Sequence, residues 1–118
     1  MKKLFCKIFA VISLLLLLFV NKTYRVVWVQ GNSMAPTLHD KQFCLMKITN
    51  ELNDGDIVVV DTKDIENINA PCIIKRYCES KSTAESIYLL GDNSCRSFDS
   101  RMFGLIDRKN IIGKVVFQ

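Results

Sequence analysis

Three segments of this chain carry residues that can do chemistry together. Ser33 lies in Gly31-Asn-Ser-Met-Ala-Pro-Thr-Leu38, and Lys75 lies in the apolar run Cys72-Ile-Ile-Lys-Arg-Tyr77. Ser97, Asp99 and Arg101 alternate in the polar stretch Gly91-Asp-Asn-Ser-Cys-Arg-Ser-Phe-Asp-Ser-Arg101. A serine hydroxyl is a weak nucleophile at its free pKa and needs a base within hydrogen-bond reach. Gly31 permits unusual backbone angles, and Pro36 fixes the local path and biases Ala35 away from helix. The segment can therefore present one hydroxyl at the end of a strand, beside backbone N–H groups.

The base has few candidates. His39 is the only histidine and sits in a polar, turn-like stretch six residues after Ser33, where it reads as a solvated loop residue. Arg76 stays protonated and cannot accept a proton. In an extended strand, alternation puts Ile73, Lys75 and Tyr77 on one face and Cys72, Ile74 and Arg76 on the other. Burial among apolar neighbours disfavours the ammonium and lowers the lysine pKa, so that the amine can take a hydroxyl proton. If residues 97–101 are extended, Ser97, Asp99 and Arg101 share a face. A hydroxyl beside the amine would fix its rotamer, and Asp99 with Arg101 could form a bidentate pair that stiffens the loop.

The elements that must position these groups are short strands. Runs rich in β-formers span Arg25–Gln30, Gln42–Ile48, Asp56–Asp61, Cys72–Tyr77, Ser86–Leu90 and Lys114–Phe117. Turn residues bound them: Asn53-Asp54-Gly55, Ala70-Pro71, Gly91-Asp92-Asn93 and Gly113. Residues 62–69 are polar and read as a loop, and one helical turn fits Met34–Asp40. This pattern predicts a mainly β domain, an antiparallel curled sheet or partial barrel.

Ahead of the strands stands a different kind of segment. Between Ile8 and Val20 only Ser13 is polar, and the 17 residues Leu4–Val20 approach the ~30 Å hydrocarbon core at ~1.5 Å per residue. The flank Leu18–Thr23 offers no site with small residues three and one positions before a cut, which favours a retained anchor over a cleaved leader. Lys2, Lys3 and Lys7 precede the span. The positive-inside tendency leaves the N-terminus cytoplasmic and the body on the far side. The expected organisation is an anchor over residues 1–22 and a small β domain over residues 23–118.

Charge and cysteine usage exclude two function classes. The formal charge is +4, but from Asn21 onward 13 Lys and Arg face 12 Asp and Glu. That balance lacks the clustered basic surface that nucleic-acid recognition needs. Cys6, Cys44, Cys72, Cys78 and Cys95 form no CxxC pair, so metal-ligand spacing is absent. Disulfides among the last four are left open by the sequence. No cofactor is expected.

The chemical segments resemble, in order, the motifs of the type I signal peptidase family, which are membrane-bound Ser-Lys endopeptidases. Gly31–Leu38 looks like the nucleophile box and Gly55-Asp-Ile-Val-Val-Val60 like a structural strand box. Ile74-Lys-Arg76 looks like the box of the base. Gly91-Asp-Asn93 with Ser97–Arg101 and Gly104 looks like the final box. The resemblance implies Ser33 as nucleophile, Lys75 as general base, Ser97 as the group orienting the lysine, and Asp99 with Arg101 as loop support. It implies signal-peptide removal from exported preproteins that carry small residues before the cut. The relevant partners are then those preproteins and membrane lipid.

Departures from the family pattern matter as well. Fifteen residues separate Lys75 from Gly91, where many bacterial members insert a second domain, so the chain looks close to a minimal catalytic core. The glycine-proline turn common after the lysine box is replaced by Cys78-Glu-Ser-Lys81. Gly31 stands where some relatives place an oxyanion-hole hydroxyl, which shifts that role to backbone N–H groups, chiefly that of Ser33, with Gly31 a second candidate. A specialised relative processing conjugation or pilin precursors and a catalytically silent membrane scaffold are the alternatives.

Overall fold

Residues 2–23 leave little choice of structure: with apolar side chains on every face, the segment has no single side to bury. In the computed structural model, which describes residues 1–118, it forms helix α1 (Lys2–Thr23) with no buried residue. The helix is long and apolar enough to cross a membrane. It overruns the expected span Leu4–Val20 at both ends, where lysine stems can lie along an apolar surface while their ammonium groups stay in water. Strand β1 (Tyr24–Trp28) follows without a linker.

The β-rich runs form β2 (Phe43–Lys47), β3 (Ile57–Asp61), β4 (Cys72–Cys78), β5 (Ser86–Leu90), β6 (Ile106–Asp107) and β7 (Ile111–Phe117). They make one antiparallel sheet in the order β1-β2-β7-β3-β4-β5-β6. Register shifts between Leu45 and Met46, and again between Val59 and Val60, curl it, as extra residues in one strand locally increase twist. The mainly β, antiparallel curled sheet behind one apolar helix is the class the strand pattern predicts.

β3 lies inside the sheet, and Ile57 to Val60 are all buried. Alternation sends Val58 and Val60 to a core shared with Tyr77, Ile87, Leu89 and Ile106. Ile57 goes to a second core with Val29, Met34, Leu38 and Cys44. That second core matters for the site, since Val29 precedes Ser33 and Met34 and Leu38 follow it, so the loop is anchored on both sides. The loop holds a single helical turn in which the Leu38 N–H donates to the Met34 carbonyl at 2.9 Å.

Several local expectations need correction. Gly113 is inside β7 and not a turn ahead of it; a Cβ there would strike the Lys47 carbonyl and Met46, so the missing side chain permits close packing of β7 on β2. Residues 97–101 are not extended. Asp99 caps a short helix, α2 (Ser100–Phe103), by accepting from the Arg101 N–H. The two-residue β6 was not anticipated, because a dipeptide carries no periodicity. All five cysteines are free.

Leu89 is fully buried, whereas Val26 on β1 is 68% exposed. Leu89→Ala should cost about 2–5 kcal/mol through lost burial and a residual cavity. Val26→Ala should stay within about 0.5 kcal/mol. Denaturant unfolding of the full chain in detergent measures both; equal losses would contradict this placement of the core.

Candidate active site

β4 places Lys75 opposite Val58 of β3 in direct cross-strand register, with Tyr77 two residues on and buried beside it. Lys75 is only 5% exposed. Its Nζ lies 2.7 Å from Ser33 Oγ, the ammonium donating to the hydroxyl; in the neutral amine the direction reverses. Burial lowers the lysine pKa from its ordinary value, and the negative charge of Asp99 works in the opposite direction. His39 is exposed, and its backbone N–H donates to Gln42 Oε1.

The serine loop is held by its backbone as well as by its core contacts. The Ser33 carbonyl accepts from the Asn93 N–H at 2.9 Å, and Asn93 Nδ2 donates to the Asn32 carbonyl at 3.0 Å. Gly31 adopts φ 85, a left-handed conformation that favours glycine. Its N–H donates to Asp40 Oδ1 at 2.8 Å. The Gly31 donor is thus engaged within the loop. The Ser33 N–H enters no hydrogen bond of the protein and remains available.

A second polar group joins the two reactive segments. Asp92 accepts from Thr37 Oγ1 at 2.5 Å, four residues after Ser33. The same carboxylate accepts from Arg76 Nε at 2.7 Å and Nη2 at 2.6 Å, next to Lys75 in the chain. Arg76 Nη1 reaches the Gly55 carbonyl, and the Asp92 N–H points at Met34 Sδ. One carboxylate thus ties the Ser33 loop to the Lys75 strand. The Arg76 hydrogen bond holds the Asp92 carboxyl below its ordinary pKa. Sequence reading missed Thr37, Asp92 and Asn93 as positioning groups. The available signal was Arg76 itself: a permanent cation in an apolar strand, on the face opposite Lys75, requires an acidic partner.

Asp99 is fully buried. Burial works to raise its pKa, but hydrogen bonds from the Arg101 guanidinium and from the Gly91 and Arg101 N–H groups hold the carboxyl well below the ordinary range. Arg101 Nε and Nη2 contact the two carboxylate oxygens at 2.9 and 2.8 Å. The Gly91 N–H donates to Asp99 Oδ2 and the Leu89 N–H to Ser100 Oγ. Side chains thereby satisfy the end of β5 where no strand does.

Ser97 does not hydrogen-bond Lys75. The lysine's polar contact goes to Ser33, while Ser97 Oγ is buried beside Asp99, where it helps to lower that carboxyl's pKa without reaching full hydrogen-bond geometry. Capping by Asp99 turns the chain into α2 at Ser100, which takes Arg101 out of the extended alternation. Ser97 packs instead on Gly91: a Cβ at residue 91 would overlap its side chain and press on the Ser33 carbonyl at 2.8 Å.

A cleft of about 290 Å³ opens beside the Ser33–Lys75 pair. Trp28, Val29 and Gln30 form one side, and residues 70–74 form the other. β5 pairs with β4 only from Arg76 onward, so the β4 edge over Cys72–Lys75 has no strand beside it and faces the cleft. The arrangement can hold an extended chain against a free strand edge, with a hydroxyl, a desolvated amine and an unpaired N–H at one end.

A family model described as Peptidase S24-like matches residues 10–116. The chain is 28% identical over 153 aligned residues to Signal peptidase I of Bacillus licheniformis, covering 91% of this chain and 81% of that protein. It is 35% identical over 63 residues to Signal peptidase I of Buchnera aphidicola subsp. Baizongia pistaciae (strain Bp), covering 50% of this chain and 18% of that protein. An alignment of 153 positions against a chain of 118 residues leaves at least 35 positions of the first relative without a counterpart here.

Two substitutions probe the site without reference to turnover. Gly91→Ala should destabilise the fold by about 1–3 kcal/mol, because Ser97 and the Ser33 carbonyl must both give way. Asp99→Asn removes the charge that opposes deprotonation of Lys75. NMR titration of the Lys75 amine in the folded variant should show its pKa lower than in the wild type; an upward shift would refute the assigned electrostatics.

Proposed function

The chain belongs to the Peptidase S24-like family, and from that membership we propose that it is a membrane-anchored serine endopeptidase that removes N-terminal signal peptides from exported preproteins. The observation that carries the reading is the 2.7 Å contact between Ser33 Oγ and the buried Lys75 Nζ. The similarity to two proteins named Signal peptidase I favours signal peptides as substrates over conjugation or pilin precursors.

Neutral Lys75 takes the Ser33 proton as Oγ attacks the carbonyl carbon of the scissile peptide bond. Negative charge then develops on that carbonyl oxygen, and the free Ser33 N–H donates to it. The tetrahedral species collapses, the C–N bond breaks, and the Lys75 ammonium returns its proton to the departing amine. An ester to Ser33 remains. Lys75 next takes a proton from water, the hydroxide adds to the ester carbonyl, and collapse releases the acyl chain and restores the Ser33 hydroxyl. Protons and electron pairs balance over the two halves with no further reagent.

The substrate lies extended along the free edge of β4, where main-chain hydrogen bonds supply affinity and alternate side chains enter the cleft. α1 is the membrane anchor, with the N-terminus cytoplasmic because Lys2, Lys3 and Lys7 precede the apolar span, and the β domain faces the extracytoplasmic side.

Cleavage of a model preprotein in detergent tests the reading. Ser33→Ala and Lys75→Ala should each lower kcat/KM by about 10⁴-fold or more while leaving the unfolding midpoint near wild type. Retained cleavage by the purified lysine variant would sink the dyad. The rate should also rise with pH as Lys75 loses its proton, along a limb centred below the ordinary lysine value because burial lowers that pKa. A flat profile between pH 6 and 10 would exclude Lys75 as the base.

A further inference from the structure

We infer that Thr62 is a positioning residue for the substrate cleft, fixing the wall that meets substrate side chains several residues away from the scissile bond. The inference rests on the peptidase reading above and extends it to a residue far from the dyad. Thr62 follows the last register pair of β3 and β4, Asp61 with Cys72, and is fully buried. Its N–H donates to the Pro71 carbonyl at 3.0 Å, and its Oγ1 donates to the Ala70 carbonyl at 2.6 Å. One residue thus engages both carbonyls of the dipeptide that leads into β4. A buried hydroxyl is costly unless bonded, so the Ala70 contact leaves this side chain one favourable arrangement.

Ala70 and Pro71 line the cleft. Thr62 grips them from the β3 side of the strand, and the opposite edge is the one left open by β5. The facing wall carries Trp28, which packs edge-on against Phe43 with ring centroids 4.3 Å apart. Lys75 and Pro71 are four residues apart on an extended strand, roughly 13 Å at ~3.3 Å per residue. An extended substrate of the same rise therefore meets the Ala70–Pro71 wall about four or five residues from the bond cut at Ser33. The Thr62 bonds oppose outward movement of that wall, so bulky side chains at that distance are disfavoured.

The test uses the full chain in detergent and peptides that differ only by Ala or Trp, scanned four and five residues from the cut on the acyl side, beyond the small-residue positions that the family resemblance implies. Wild type should prefer alanine at one of these positions. Thr62→Val, which keeps shape and loses the hydroxyl bond, should reduce that preference about tenfold, mainly through KM. Thr62→Ser should restore it. Pro71→Ala, which removes the ring and leaves the Thr62 bonds possible, should relax the same position. Labelling of Ser33 by a small serine-acylating probe should stay within about twofold in both Thr62 variants, and the pH profile should not move. An unchanged preference in folded Thr62→Val and in Pro71→Ala overturns the inference while leaving the peptidase reading intact. Equal loss in Thr62→Ser and Thr62→Val also overturns it, since the hydroxyl would then be irrelevant. A wild type that neither cleaves nor labels overturns the peptidase reading and this inference with it.

Discussion

The site depends on keeping one lysine amine out of water. An ammonium in a dry strand is expensive, and the cost falls when the group gives up its proton or finds a partner. Lys75 has the Ser33 hydroxyl 2.7 Å from its nitrogen, with Val58 directly across the strand pair. Much of the fold serves that placement. β3 is buried on both faces and lies next to β4, so the middle of β4 cannot reach solvent from that side.

Two carboxylates then divide the electrostatic work. Asp92 pairs with Arg76 and Thr37 and acts as a tether between two segments that are distant in sequence. Asp99 pairs with Arg101 and caps α2 while terminating β5. Each is matched by a guanidinium, and a bidentate partner is what keeps a poorly hydrated carboxylate ionised. The remaining cation, Lys75, has no carboxylate in hydrogen-bond contact. Asp99 acts on it only as a charge, which raises its pKa, while desolvation acts in the lowering direction and dominates. A direct Asp99–Lys75 ion pair would hold the proton on the amine, whereas the Asp99 oxygens are in contact with Arg101 instead.

The parts of this design that repeat along the chain were legible in the sequence. Strand alternation placed Lys75 on the face with Tyr77, and the all-round apolar run at residues 8–20 marked α1. What stayed hidden was set by single contacts between distant segments. Arg76 and Asp92 are separated by 15 residues, and neither signals the other through any periodicity. The turn into α2 stayed hidden because that helix is only four residues long, too short for a helical pattern. The Gly31 N–H contact to Asp40 stayed hidden for a related reason: it is a choice made by turn geometry and not by residue type. Gly113 looked like punctuation and is instead a point of close strand approach.

The short connection from β4 to β5 shows how the domain holds its site with so few residues. Residues 79–85 close the hairpin through one 3-10 turn, Glu79–Lys81, and one serine. Ser82 Oγ donates to the Cys78 carbonyl at 2.6 Å and accepts from the Tyr88 N–H at 2.8 Å, spanning the two strand ends. Arg108 adds a clasp from the β6 side, donating to the Thr83 carbonyl and to the Tyr77 hydroxyl. Loop-closure entropy grows only slowly with length, so a long connection here would cost the fold little in stability. What a long connection would lose is stiffness next to Arg76, the residue that pairs with Asp92 and, through Asp92 and Thr37, with the Ser33 loop. A tight hairpin therefore does for Lys75 what the Met34 and Leu38 anchors do for Ser33: it removes local freedom near one partner of the 2.7 Å contact.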